Sequence, residues 1–159
     1  MEKNPYIPVL IQSLKKKNEI LDVIVMLNKR QKEQLENPNL DPDDFDKTVE
    51  EKAKLIDELN QLDDGFQEVF GKVREDLEQN RAQYAGEIKE MQDYIRKLTE
   101  KSASIQAQEM RNKDLMTQKF STIKKQAREV RTSQKVVNQY YKNMMKTNYI
   151  NPQFTDSKK

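Results

Sequence analysis

The chain has 159 residues, of which 35% are hydrophobic and 35% are charged, with only three glycines and five prolines. One elongated helical domain fits this composition better than a thick globular core, because an elongated bundle has a high ratio of surface to volume. Cysteine, histidine and tryptophan are absent. Disulfides, thiolate or imidazole metal sites and nucleophile–histidine catalysis are therefore excluded, and we expect neither a cofactor nor enzymatic activity.

The formal net charge of +2 conceals two halves of opposite sign. Residues 41–80 contain 14 acidic and 5 basic side chains, whereas residues 101–159 contain 13 basic and 4 acidic ones. We favour an acidic helix lying beside a basic one over nucleic-acid binding, because no base-stacking motif accompanies the basic residues. No apolar run approaches the roughly 20 residues that a membrane span needs, and the lysine-rich start does not resemble a signal peptide.

The first predicted helix covers about residues 7–35. Its apolar seam consists of Ile7, Ile11, Leu14, Leu21 and Val25. Between residues 20 and 27 every position except Asp22 is apolar. A helix that is apolar all round must be buried on more than one side, either by neighbouring helices or by a partner, and we favour neighbouring helices.

The second predicted helix covers about residues 43–78, after a break rich in proline and asparagine at residues 37–42. Aspartates at its start suit a helix N-terminus. The apolar stripe is Phe45, Val49, Ala53, Ile56, Leu59, Leu62, Phe66, Val69, Phe70, Val73 and Leu77. It keeps its phase through Gly65 and Gly71, and burial of large side chains outweighs a cost of about 1 kcal/mol per helical glycine. A break at Gly65, which would give a fourth helix, is the alternative.

The third predicted helix covers about residues 83–146, followed by a flexible tail at residues 147–159. Its stripe runs in steps of three and four through Tyr84, Ile88, Met91, Ile95, Leu98, Ser102, Ile105, Glu109, Asn112, Met116, Lys119, Ile123, Ala127, Val130, Val137, Tyr141 and Met144. Such a helix would span roughly 90 Å. Ser102, Glu109 and Asn112 place polar groups on this stripe, where they either fix the register or form a wet docking patch; we favour register control.

The last predicted helix is longer than the helices available to cover it. If three helices run up, down and up, the second reaches along the third only to about residue 120. The remainder carries an exposed row of apolar residues. Three arrangements would cover this row: self-association, a partner helix, or folding back onto the bundle through a break near residues 132–133. The candidate partner-binding residues are Val130, Val136, Val137, Tyr140, Tyr141, Met144 and Met145.

Two parts of the chain resemble a known family. Residues 51–66, EKAKLIDELNQLDDGF, contain a lysine before a leucine-rich run that ends in Leu-Asp and an aromatic residue. Residues 95–98 (IRKL), 105–109 (IQAQE) and 112–113 (NK) look like the family's last-helix pattern. In these segments, and in its plan of an opening helix and a very long final helix, the chain resembles the FlgN-type flagellar export chaperones, including the related filament-cap chaperones.

The resemblance implies a non-enzymatic cytoplasmic chaperone that holds the helical ends of hook–filament junction or filament-cap subunits and hands them to the export apparatus. It places capture in the segment that matches residues 130–145, where an amphipathic partner helix would complete a bundle. The alternative is a structural homodimeric coiled-coil or bundle protein with no export role. In either case we expect an all-α, elongated antiparallel bundle of three or four long helices with coiled-coil character, the last being the longest.

Overall fold

A computed structural model describes residues 3–120 and 135–140 of the chain. Its three long helices are α1 (Tyr6–Glu36), α2 (Pro42–Gln79) and α3 (Ala85–Phe120). Residues 135–140 form a short fourth helical segment. The prediction of an all-α helical bundle is confirmed. Among the described elements α2, with 38 residues, is slightly longer than the 36-residue α3.

Helix α1 lies at the centre, since it packs along both α2 and α3. At one end of the bundle the Tyr84 hydroxyl accepts a hydrogen bond from the Asn4 backbone N–H and donates one to Oδ2 of Asp76, each at 3.0 Å. At the other end the rings of Phe45 and Phe120 lie 5.6 Å apart between centroids. The start of α1 therefore meets the end of α2 and the start of α3, so the helices alternate in direction.

The two turns are held by capping side chains. Asp41 precedes α2, and its Oδ1 accepts a hydrogen bond from the Asp43 backbone N–H at 3.0 Å. Asn80 follows α2, and its Nδ2 donates to Oδ1 of Asp76 at 2.7 Å. With φ at −123°, Asn80 caps the helix and does not take the left-handed conformation. The capping residue Asp41 thus lies in the predicted break at residues 37–42, just before the aspartates expected at the helix start.

Helix α2 continues without a break through both of its glycines. Gly65 and Gly71 are helical and have no positive φ. The alternative of a helix break at Gly65 is therefore wrong. A Cβ atom added at either glycine would meet no atom within 4 Å, so both residues face open space.

The described residues form two hydrophobic clusters in the interior, with buried polar side chains between them. The larger cluster follows most of the bundle and includes Leu10, Leu21, Ile24, Leu59 and Ile105. The smaller cluster, beside the α1–α2 turn, consists of Leu35, Phe45, Met116 and Phe120. The polar layer between them consists of Asn28, Gln31, Lys52, Glu109 and Asn112.

The predicted stripes agree with the observed burial in α3 but not throughout α2. On α3 the predicted apolar and polar positions from Tyr84 to Met116 are buried. On α2 the stripe was expected to pass through Val49 and Ala53, but Val49 is half-buried and Ala53 is exposed. The buried positions are Thr48 and Lys52. The start of α2 therefore buries the face that carries Thr48 and Lys52 instead of the face that carries Val49 and Ala53. Apolar spacing alone does not predict this face.

The apolar run of residues 20–27 in α1 is covered mainly by its neighbours. Ile20, Leu21, Ile24 and Leu27 are buried, so core packing accounts for most of the run. Val23 and Met26 point away from the core and are exposed.

Candidate protein-binding surfaces

The described part of the predicted capture segment contains two buried side chains and one exposed one. Val137 and Tyr140 are each 4% exposed and belong to the larger hydrophobic cluster. Val136, immediately before Val137 in sequence, is 56% exposed. Spacing of three residues places Val137 and Tyr140 on one side of the short helix, and Val136 lies at the edge of that side, where it is exposed. The other four candidate residues, Val130, Tyr141, Met144 and Met145, lie outside the described residues.

The burial of Val137 and Tyr140 shows where the short fourth helix lies. The start of α2 contacts the last residue of α3, Phe120. A straight continuation of α3 would carry residue 137 roughly 25 Å past that contact, at about 1.5 Å per residue. A position so far beyond the ends of α1 and α2 could not share a cluster with Leu10 and Leu59. Residues 135–140 therefore pack back against the bundle, so folding back is the outcome for this segment.

An apolar groove lies between α1 and α2, with a volume of about 630 Å³. This volume falls in the range of sites that hold a drug-sized ligand or a few side chains. Its apolar lining includes Pro8, Val9, Leu62, Gly65, Phe66 and Val69. Sequence analysis missed this groove. The signal for it was the double row of apolar residues on α2, which makes an apolar face wider than one neighbouring helix can cover.

The polar layer is bonded across all three long helices. Nζ of Lys52 lies 2.5 Å from Oε1 of Glu109 and donates to Oε1 of Gln31 at 3.1 Å. Nδ2 of Asn112 donates to the same Gln31 oxygen at 3.2 Å and to the backbone carbonyl of Asn28 at 3.0 Å. Burial lowers the pKa of Lys52 below its ordinary value of 10.5, although the Glu109 carboxylate opposes that shift.

The polar positions of the α3 stripe face the interior of the bundle. Ser102 donates its hydroxyl to the Leu98 carbonyl at 2.6 Å, while Glu109 and Asn112 bond to α1 and α2 as described above. All three side chains are buried. This arrangement is the one that register control requires, and it does not form an open docking patch.

Within residues 3–120 and 135–140, no three acidic side chains cluster in a way that could hold a metal ion. None of the helices in these ranges is long and apolar enough to cross a membrane.

One protein family matches most of the chain. The family model described as "FlgN protein" matches residues 1–148. The chain belongs to the FlgN family. This confirms the resemblance seen in residues 51–66 and in the last-helix segments. No curated protein and no solved structure matches the chain.

The FlgN match includes all three long helices, the α1–α2 groove and every candidate partner-binding residue. In this FlgN protein the short helix at residues 135–140 is tied to the bundle through Val137 and Tyr140. Of the described candidate residues, Val136 alone is placed to meet a partner without disturbing the core.

Proposed function

We propose that this FlgN protein is a cytoplasmic flagellar export chaperone with no enzymatic activity. It binds the helical terminal region of hook–filament junction or filament-cap subunits before secretion and delivers them to the export apparatus. The observation that carries the proposal is the FlgN match over residues 1–148, which contains the whole predicted capture segment. The helical bundle supports it, because a bundle can pack a further amphipathic helix along an apolar face.

In the proposed binding mode the capture segment, residues 130–145, packs on the bundle with one face and contacts the client with another. Val137 and Tyr140 hold residues 135–140 against the bundle, and Val136 is left exposed. A client helix would pack its apolar face on Val136 together with Val130, Tyr141, Met144 and Met145. Methionine side chains adapt to different surfaces, which suits a chaperone that holds more than one subunit.

The test is a substitution at the exposed position, because truncation near residue 131 would also remove two core side chains. We expect Val136→Glu to weaken binding of a purified junction or cap subunit from the same host about tenfold or more, since a charge would face an apolar helix. Isothermal titration calorimetry measures the affinity, and circular dichroism checks the fold.

Met110→Glu is the matched control, because Met110 is 71% exposed on α3 and lies outside the capture segment. Its affinity for the client should equal that of the unsubstituted chain. Equal loss in both variants would show that added charge alone is responsible. No binding of the unsubstituted chain to any such subunit would remove the export-chaperone proposal.

The alternative, a structural homodimer without an export role, makes a different prediction. In that case the chain sediments as a dimer at micromolar concentration, and Val136→Glu shifts it to a monomer. A chaperone sediments as a monomer until the client subunit is added.

A further inference from the structure

The end of the bundle beside the α1–α2 turn contains little apolar packing. Among the described residues its hydrophobic cluster has four buried side chains, Leu35, Phe45, Met116 and Phe120. The larger cluster has 19. Burial of large apolar side chains is the dominant stabilising contribution to a folded structure. The helix ends that carry the smaller cluster are therefore held less firmly than the rest of the bundle.

The buried polar layer separates this end from the larger cluster. It contains the ion pair of Lys52 with Glu109, to which Gln31 and Asn112 are hydrogen-bonded. Charges that leave the interior regain their hydration, so a buried ion pair adds little net stability compared with apolar packing. The layer therefore interrupts the apolar contacts that would otherwise make the two clusters unfold together.

Polar contacts do not compensate at this end. Nζ of Lys119 donates to the backbone carbonyl of Asn37 at 2.6 Å, and Nη1 of Arg30 lies 3.4 Å from Oε2 of Glu51. Both contacts are exposed to solvent, where such pairs contribute little to stability. At the other turn, by contrast, the buried Tyr84 belongs to the larger cluster.

We propose that residues 28–52 and 109–120 open as one unit while the rest of the bundle stays folded. Partial opening of this kind occurs where buried apolar contacts are few and polar contacts are exposed. The open state exposes the smaller cluster and keeps the larger one, which includes Val137 and Tyr140. The last turns of α3 are thus released without detaching the short helix at residues 135–140. This opening does not depend on the proposed function.

Two single-cysteine variants test the opening, because the chain has no cysteine of its own. Thr48→Cys places a thiol at a buried position six residues after the start of α2. Val73→Cys is the matched control, because Val73 is buried six residues before the end of the same helix. Relative to its rate in the unfolded chain, we expect Thr48→Cys to react with the thiol reagent DTNB about tenfold or more faster than Val73→Cys.

One substitution in each cluster shows whether the two thiols are exposed by different openings. Ile24→Val weakens only the larger cluster, which stays folded when the end opens. It should therefore speed the labelling of Val73→Cys roughly two- to tenfold and leave that of Thr48→Cys unchanged. Phe120→Leu weakens the smaller cluster, which is lost in both openings, so it should speed both reactions by the same factor.

Amide hydrogen exchange gives a readout on the unsubstituted chain. Amides of residues 113–119 should exchange about tenfold or more faster than those of residues 98–105. Their exchange should also depend less on urea, because a partial opening exposes less surface than global unfolding.

Three outcomes would overturn the proposal, since each shows that the bundle opens as a single unit. These are equal labelling rates of the two thiols, equal acceleration of both by Ile24→Val, and equal exchange in the two amide groups. Client binding enters none of these measurements, so failure of the proposed function is distinguishable.

Discussion

The Nζ atom of Lys52 lies 2.5 Å from Oε1 of Glu109, with side chains 2% and 1% exposed, so α2 and α3 are joined by an ion pair removed from solvent. Gln31 on α1 accepts from both Lys52 and Asn112, so the network spans all three long helices. The layer lies between the two hydrophobic clusters. Sliding one helix along another would leave these charges buried without partners, which is why the layer specifies one register.

Removing only the cation of this pair should destabilise the protein strongly. In Lys52→Met the Glu109 carboxylate stays buried without its cation, at a cost of about 3–5 kcal/mol in the free energy of unfolding. The double variant Lys52→Met, Glu109→Leu should recover much of that loss, because well-packed apolar residues replace buried ion pairs at little cost. Urea denaturation measures both values. A double variant as unstable as the single one would contradict this account.

The pair also predicts a pH dependence of stability. Burial lowers the pKa of Lys52 in the folded state, so between that lowered pKa and 10.5 the unfolded chain binds the proton more readily. The contribution of Lys52 to stability therefore increases with pH across this window and is lost as pH falls through the lowered pKa. Relative to Lys52→Met, the unsubstituted chain should gain stability with rising pH. Lys54→Met is the matched control, because Lys54 is exposed. If stability relative to Lys54→Met rose with pH as much as stability relative to Lys52→Met, the pH dependence could not be assigned to Lys52.

The α2 glycines are positions where the helix can be strengthened. Gly65→Ala and Gly71→Ala should each raise the free energy of unfolding by about 0.5–1 kcal/mol, because glycine loses more backbone entropy in a helix. The added methyl groups meet no atom within 4 Å, and neither glycine has a positive φ. Thermal unfolding followed by circular dichroism measures the change. A lower melting temperature in either variant would mean that α2 bends at that glycine.

Substitutions within residues 135–140 should lower stability at buried positions and leave it nearly unchanged at exposed positions. Val137→Ala removes a buried contact with the core and should lower stability by about 1–2.5 kcal/mol. Val136→Ala, at an exposed neighbouring position, should change it by less than about 0.5 kcal/mol. Chemical denaturation of both variants gives the comparison. Equally small effects would show that this segment does not pack on the bundle.

The stripe of α3 could be predicted from sequence because its spacing is regular over many turns. A helical face that contains Ile88, Ile95 and Ile105 must be buried to remove its apolar side chains from water. The same spacing also placed the polar residues Glu109 and Asn112 on that face. The bounds of α1 and α2 followed from proline and capping residues, and they differ from the observed ends by one residue. The FlgN family was likewise visible in the sequence.

The buried face of α2 could not be predicted in the same way. Apolar spacing predicted that Val49 and Ala53 are buried, whereas Thr48 and Lys52 are the buried residues. A lysine is assigned to the surface by default, since burial of a charge is costly without a partner. Its partner, Glu109, is 57 residues away in sequence. Only the packing of α2 and α3 along α1 brings the two charges together.

The sequence by itself determined the elements, their order and the family, because helical periodicity, caps and proline breaks are local properties of the chain. The tertiary structure decided three things: the burial of Lys52 with Glu109, the groove beside Gly65, and the return of Val137 and Tyr140 to the core. Each depends on the relative placement of segments distant in sequence. Periodicity gives the face that a helix buries, but it does not say which neighbour covers that face.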